Sequence, residues 1–379
     1  MDRIQQLVSE VLHEAADALT GHPLLRGGLV KVGVTLFGSE HGPLEVLRGA
    51  EIAQGRLTDA EIVVIGPQDM QTSLKTIAVS SEAEGHRRME ALLASKELDA
   101  AVTMHYNFPI GVTTIGLAVT PSRGKPMFIA SSTGASAADR TESLVRNAIY
   151  GVAAAKAFGI IAPTVGLLNI DGARQAERII QNLCEAGYPL ALTGSSRSDR
   201  GLMRGNDLLQ GTPDVMVTDT LTGNLLVKVL SAYTTGGNYE SVGFGYGPGI
   251  GEGYDKIINI ISRASGAPVI ANSIEYAAVM AKNRLPLHTA QEISAAKRAG
   301  LDNLLQHKKA AAKPPVAPPP KKAVTQQISG IDVLELEQAQ QLLWQNGIYA
   351  ETGMGCTGPV VLVAEEDLEK ALTIVKELG

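Results

Sequence analysis

The chain has 379 residues, 45% hydrophobic and 19% charged, which is apolar enough for two or three packed domains and excludes wholesale disorder. Its net charge of −6, from 33 basic against 39 acidic residues, excludes a nucleic-acid binder that depends on phosphate contacts. Two cysteines, Cys184 and Cys356, exclude a disulfide scaffold and a cysteine-based structural zinc site, and no metal site is expected.

From the start of the chain, Met1 to Leu19 mixes charge with apolar residues at helical spacing and has no apolar run of the signal-peptide kind. No stretch approaches 18 uninterrupted apolar residues, and the best one, 159–170, is broken by Pro163 and Gly166. Neither a leader nor a membrane span is expected, and the expected location is the cytoplasm. The β-branched runs Val30–Leu36, Ile62–Ile65, Ala101–Met104, Met127–Ala130, Thr164–Asn169, Leu190–Thr193, Val215–Thr218 and Pro268–Ala271 predict strands. Helical patterns fall between most of them, for example Ser143–Phe158 and Arg174–Cys184. Such alternation predicts an α/β fold, layered α/β/α, with a largely parallel sheet in two subdomains. Ligands of such sheets bind at the carboxyl ends of strands.

Several loops at those ends carry chemistry. His41 and His105 follow strand ends and read as hydrogen-bonding residues, with no spacing for a metal. Ser131, Ser132, Thr133 and Gly134, followed by Ala135 and Ser136, place hydroxyls and backbone amides after a strand, where they suit an oxyanion. A capping loop would explain one or two of those hydroxyls and not four. Cys184, inside the helical pattern AERIIQNLCEAG, reads as core. After the strand PDVMVTD come Asp219, Gly223, Asn224 and Lys228, the start of a helix whose free N–H groups can meet a phosphate. Asp219 can orient a donor, act as a base or simply cap the helix, and Lys228 can add charge or lie on the surface. Residues 243–253 hold glycine at every second position without a G-x-G-x-x-G pattern, which predicts a mobile loop over a site and no dinucleotide fold. Serine-hydrolase and P-loop signatures are absent.

The body ends near residue 307. Residues 308–327 hold five prolines, five lysines and no acid, the composition of a semi-rigid tether rich in Pro, Lys and Ala. Residues 328–379 form a small α+β module with nine acids and two lysines. Its pattern gives a helix through Leu342 and Leu343 that stops at Asn346 and Gly347, strands Ile348–Ala350 and Val360–Val363 around a glycine-rich turn, and a final helix from Glu365. Cys356 sits in that turn, GMGCTGP, where close backbone amides can stabilise a thiolate or a thioester oxyanion. A hairpin turn with an incidental small residue is the alternative.

These motifs carry a resemblance. Residues 1–307 resemble the phosphate acyltransferase superfamily, which includes phosphotransacetylase and the acyl-carrier-protein:phosphate acyltransferases, through Asp219 to Lys228, VTMHYNFPIG at 102–111 and PVIANS at 268–273. The resemblance implies a phosphate-binding role for Ser273. Ile274 follows it where phosphotransacetylases carry an arginine, so another cation is needed, with Arg140, Arg197 and Arg204 as unranked sources. Over its whole length, GMGCTGP included, the chain resembles the protein C alpha subunits of glycine, sarcosine and betaine reductase complexes. That resemblance implies a Cys356 acetyl thioester cleaved by inorganic phosphate, as co-substrate, to acetyl phosphate. No bound cofactor is implied. The implied partners are a ketoacyl-synthase-like beta subunit and the selenoprotein A of the complex, with a homo-oligomer allowed and neither nucleic acid nor membrane. A free-standing phosphate acyltransferase acting on acyl-coenzyme A or acyl carrier protein, and a non-catalytic redox-sensing scaffold, are the competing readings.

Overall fold

A computed structural model describes residues 29–197, 201–311, 317–329, 331, 336–355 and 358–376. The chain divides into two compact units, the first ending at Leu301 and the second beginning at Asp302.

The first unit opens with β1 (Val30–Thr35), α1 (Pro43–Arg56), β2 (Ala60–Gly66), β3 (Lys75–Ala78), α2 (Glu82–Ala94) and β4 (Ala100–Thr103). It continues with β5 (Val112–Val119), β6 (Pro126–Gly134), α3 (Arg140–Ala157), β7 (Thr164–Leu167), α4 (Ala173–Glu185) and β8 (Ala191–Leu192). It closes with α5 (Gly205–Gln210), β9 (Val215–Val217), α6 (Thr220–Ala232), β10 (Gly247–Gly251), β11 (Ile258–Ile260), α7 (Ala267–Lys282) and α8 (Leu285–Arg298). The described strands form one sheet in the order β3-β2-β1-β4-β11-β10-β5-β6-β9-β7-β8. The block β3-β2-β1-β4-β11 is parallel throughout, and so is the block β6-β9-β7-β8. Between them β10 runs antiparallel to both β11 and β5, and β5 antiparallel to β6. β10 pairs with β11 through Gly247 and Pro248 and with β5 through Gly249 to Gly251, so this one strand hands the sheet from block to block.

The mixed α/β class and the mostly parallel sheet agree with the sequence pattern, and strands occur at seven of the eight predicted places. Two local expectations are corrected. Pro268–Ala271 is not a strand but the first turn of α7. Pro268 occupies the opening turn, where a missing N–H costs nothing. Val269, Ile270 and Ala271 are apolar because that turn is buried, and Ile270 packs over Gly49 of α1. A helix buried on all sides reads as a continuous apolar run, which periodicity cannot tell from a strand.

The second correction concerns residues 243–253. Instead of a loop over a site they contain β10, buried at every position in the middle of the sheet. Its glycines are there because neighbours crowd the strand. A Cβ on Gly247 would lie 1.8 Å from the Ile115 carbonyl oxygen, and one on Gly249 would lie 2.3 Å from the Phe108 ring. Glycine removes the β-branched signature by which strands are recognised.

The second unit holds α9 (Leu301–Ala311, which begins one residue before the division), β12 (Gln326–Ser329), α10 (Leu336–Gln345), β13 (Ala350–Gly355), β14 (Gly358–Val363) and α11 (Leu368–Lys376). The strands form an antiparallel sheet in the order β12-β14-β13 over a core that includes Ile328, Leu343, Ile348, Val361 and Val363. Of the proline-rich stretch 308–327, the first residues belong to α9 and the last two open β12. Lys322 pairs with Glu366 at 2.6 Å and Asp367 at 2.9 Å, so this end of the stretch is fastened to the acids of the 3-10 turn that follows β14.

Candidate active site

A cleft of about 520 Å³ opens in the first unit where parallel strands end. The segments after β4 (104–108) and after β11 (261–263) line it, together with Thr133 and Gly134 at the end of β6. Part of the lining is apolar and aromatic: Met104, Tyr106, Phe108, Tyr246, Ile260 and Ile261. Tyr106 and Phe108 stack edge to face with centroids 4.9 Å apart, and the Tyr106 hydroxyl donates to Glu90 at 2.7 Å. Burial, then that contact with Glu90, pushes the Tyr106 phenol up to about 12, so it stays neutral. The polar part of the lining is Thr133, Gly134, Asn224, Lys228, Ser262 and Arg263, with Glu40, His105 and Asn107.

Helix α6 places two of these groups. Asp219 is its N-cap, its carboxylate accepting from the Thr222 N–H at 3.0 Å and the Thr222 hydroxyl at 2.7 Å. Asp219 does not line the cleft. Gly223 is buried against β6, and a Cβ there would lie 1.7 Å from the Ser131 carbonyl oxygen, so its glycine allows helix and strand to touch. One residue on, the Asn224 side-chain amide donates to Ser132 O at 3.2 Å and lines the cleft. One turn further Lys228 reaches the same cleft, donating to Ser262 Oγ at 2.9 Å and lying 3.3 Å from Glu240 Oε1.

The hydroxyl run divides by depth. Ser131 and Ser132 are fully buried within β6. Ser132 Oγ donates to Tyr246 O at 2.7 Å, and Ser131 Oγ and Thr220 Oγ1 lie 2.9 Å apart. Only Thr133 and Gly134 of the four reach the cleft. Ser273 is placed apart from them: it is fully buried inside α7, its carbonyl accepts from Asn259 Nδ2 at 3.1 Å, and its hydroxyl has no partner among the described residues. Cys356 lies outside the described residues. β13 and β14 pair up to Gly355 and Gly358, the residues on either side of the Cys356–Thr357 dipeptide in the sequence.

None of the three arginines considered from sequence lines the cleft. Arg140 pairs with Asp171, Arg204 caps α5, and Arg197 is exposed elsewhere. Arg263 does line it, its Nε donating to Gly38 O at 3.0 Å. Arg263 and Ser262 follow β11, a three-residue strand invisible in the pattern, and Glu240 sits in an irregular segment. The sequence signal of Ser262 and Arg263 is a polar pair directly after IINII, apolar except for Asn259. His105 reaches the cleft edge, whereas the ring of His41 meets Ala264 O at 3.2 Å. Among the described residues no His, Cys, Asp and Glu cluster could hold a metal, and no helix is long and apolar enough to cross a membrane. The arrangement offers a small anion one ammonium, one guanidinium, amides and hydroxyls, beside apolar lining that can take a short carbon chain.

A family model described as fatty acid synthesis protein matches residues 30–362. The alpha subunit of component C of the glycine/sarcosine/betaine reductase complex from Peptoclostridium acidaminophilum is 52% identical over 100% of this chain and 99% of its own length. A phosphate acyltransferase from Xanthobacter autotrophicus is 29% identical over 52% of this chain and 67% of its own. Among solved structures, a branched-chain phosphotransacylase from Enterococcus faecalis is similar with a TM-score of 0.47 at 16% identity, over 67% of this chain and 99% of that one.

Proposed function

The chain belongs to the fatty acid synthesis protein family, in the group of the component C alpha subunits of glycine/sarcosine/betaine reductase, and on that premise we propose that it is an acyltransferase subunit of such a complex. In this reading an acetyl group carried as a thioester on Cys356 passes to inorganic phosphate, giving acetyl phosphate. A phosphate oxygen attacks the thioester carbonyl, the C–S bond breaks, and the proton leaving phosphate ends on the Cys356 sulfur.

The observation that carries the reading is the convergence of Lys228, Asn224, Thr133 and Arg263 on one strand-end cleft. Lys228 and Arg263 supply positive charge for a phosphate, and Asn224 and Thr133 supply neutral hydrogen bonds that fix its orientation. The aromatic wall would receive the acetyl methyl and keep water from competing for the thioester. Asp219, Gly223, Ser131 and Ser132 support the cradle from behind instead of touching its occupant, and Ser273 lies too deep to bind one. The proposed partners are the beta subunit and selenoprotein that deliver the acetyl group, in the cytoplasm.

The deciding variant is Cys356→Ala in the reconstituted complex. Acetyl phosphate formation is expected to stop, whereas a free-standing phosphate acyltransferase using another thioester would be indifferent to the change. Shortening the chain between 312 and 319, which spares the Lys322 pairs, is expected to slow turnover if the tether delivers the thiol. Full turnover after the deletion would remove the tether from the mechanism.

A further inference from the structure

Lys228 is held by a seat whose acid, Glu240, does not line the cleft. Its ammonium meets Glu240 Oε1 at 3.3 Å and Ser262 Oγ at 2.9 Å. Glu240 is buried, with its side chain 2% exposed, and its second oxygen accepts from the Ser265 hydroxyl at 3.0 Å. The seat is rigid in its own right. Ser265 Oγ accepts from the Ser262 N–H at 3.1 Å, and Ser262 Oγ accepts from the Ala264 N–H at 3.2 Å. Backbone bonds from Glu240 N–H to Ala264 O and from Gly266 N–H to Glu240 O lock the two segments together at 3.0 and 2.9 Å.

A carboxylate this deep is costly unless it has a cationic partner. Lys228 is the one cation among the described residues that pairs with Glu240. The pairing therefore explains the acid, and the acid fixes the lysine. An ammonium has three N–H donors. Two meet Ser262 and Glu240, while the Lys228 side chain stays 45% exposed at the cleft wall. One donor is left for whatever occupies the cleft.

We propose that Glu240 is a positioning residue of the anion cradle, holding the Lys228 ammonium so that its third donor faces phosphate; this rests on the reading of the cleft as the phosphate site. Glu240 touches no reacting atom. It acts by removing the rotational freedom of a long flexible side chain before the anion arrives. With Glu240 fixing its ammonium, Lys228 contributes direction as well as charge, beside the charge of Arg263.

The test uses the full-length chain acetylated at Cys356, with phosphate-dependent loss of the acetyl group followed by intact mass. Lys228→Ala is expected to slow this loss about a hundred-fold. Ethylammonium, which can fill the vacated place above the Glu240 carboxylate, is expected to recover about ten-fold of it. In Lys228→Ala combined with Glu240→Gln the same amine is expected to recover nothing, because the seat has lost its charge. Equal recovery in the two variants overturns the role of Glu240. Glu240→Gln alone provides a check independent of rescue: KM for phosphate is expected to rise about ten-fold with kcat held within about two-fold. An unchanged KM overturns the proposal. If Lys228→Ala loses its acetyl group at the wild-type rate, the phosphate cradle itself is wrong, an outcome separable from a failure of Glu240 alone.

Discussion

Replacing Gly223 with alanine sets two physical effects of opposite sign against each other. Gly223 lies in the first turn of α6, and at a helix position alanine is favoured over glycine by about 1 kcal/mol. A Cβ here, however, would stand 1.7 Å from the Ser131 carbonyl oxygen, 2.9 Å from its carbon and 3.1 Å from Ile129 Cγ2. The obstacle is the backbone of a buried strand, which cannot swing aside as a side chain can. The helix must withdraw by roughly 1.5 Å to reach ordinary contact, a case for the upper end of the ~1–3 kcal/mol that overpacking costs. Withdrawal also stretches the Asn224–Ser132 hydrogen bond, worth about 1 kcal/mol. The net expectation is a loss of about 2–3 kcal/mol, or a Tm lower by about 3–5 °C for a unit of this size. Far-UV circular dichroism is the proper readout, because Trp344, the only tryptophan, lies in the second unit and not beside Gly223 in the chain. A Tm equal to or above that of the parent would show that helix propensity wins, and would refute the close approach of α6 to β6.

Further outcomes follow from other parts of the molecule. Arg263→Gln is expected to weaken phosphate-dependent cleavage of the acetyl thioester by about ten- to a hundred-fold while leaving thioester formation intact; equal loss in both steps would place Arg263 outside the cradle. For Asp207, burial alone would raise the pKa, but hydrogen bonds from the Ser196 and Arg204 N–H groups and the Ser195 and Thr212 hydroxyls outweigh it and hold the carboxyl far below the usual range. A depressed folded-state pKa stabilises above the unfolded value of about 3.9 and is lost as pH falls below it. The Tm advantage of the parent over Asp207→Asn should therefore be full at pH 6 and shrink steadily between pH 4 and 2; a constant difference would contradict the assignment. Burial raises the Cys184 thiol, which donates to Leu190 O at 3.3 Å. Cys184 is half-buried rather than in the core; at pH 7.5 limiting iodoacetamide should still label Cys356 first, and equal labelling of Cys184 in peptide maps would contradict the raised thiol.

How much of this was legible in the sequence differs by element. β1, β2, β4, β7 and β9 announce themselves through β-branched runs, because a parallel strand buried on both faces has no polar alternation to confuse it. β10 escapes the pattern because its environment demands glycine, and α7 reads as a strand at Pro268–Ala271 because Val269, Ile270 and Ala271 are all buried. The same split runs through the site. Lys228 and Asn224 are legible because a strand followed by a helix start is a local pattern. The places of Ser131 and Ser132 in the interior, and of Gly223 against the strand, depend on which element passes overhead, which spacing cannot express. Arg263, Ser262 and Glu240 were not found: they join Lys228 across 35, 34 and 12 residues of chain, and nothing local marks them as neighbours. Ser273 was named through resemblance, and its interior position gives it a different surrounding from the cleft residues.

The central claim is that Cys356 carries the acyl group that phosphate removes. The most direct measurement is incubation of the full-length chain with acetyl phosphate, followed by intact mass and peptide mapping. The account predicts one acetyl increment, located on Cys356, absent from Cys356→Ala, and discharged by added inorganic phosphate. An acetyl group on another residue, or one on Cys356 that phosphate cannot discharge, would contradict it.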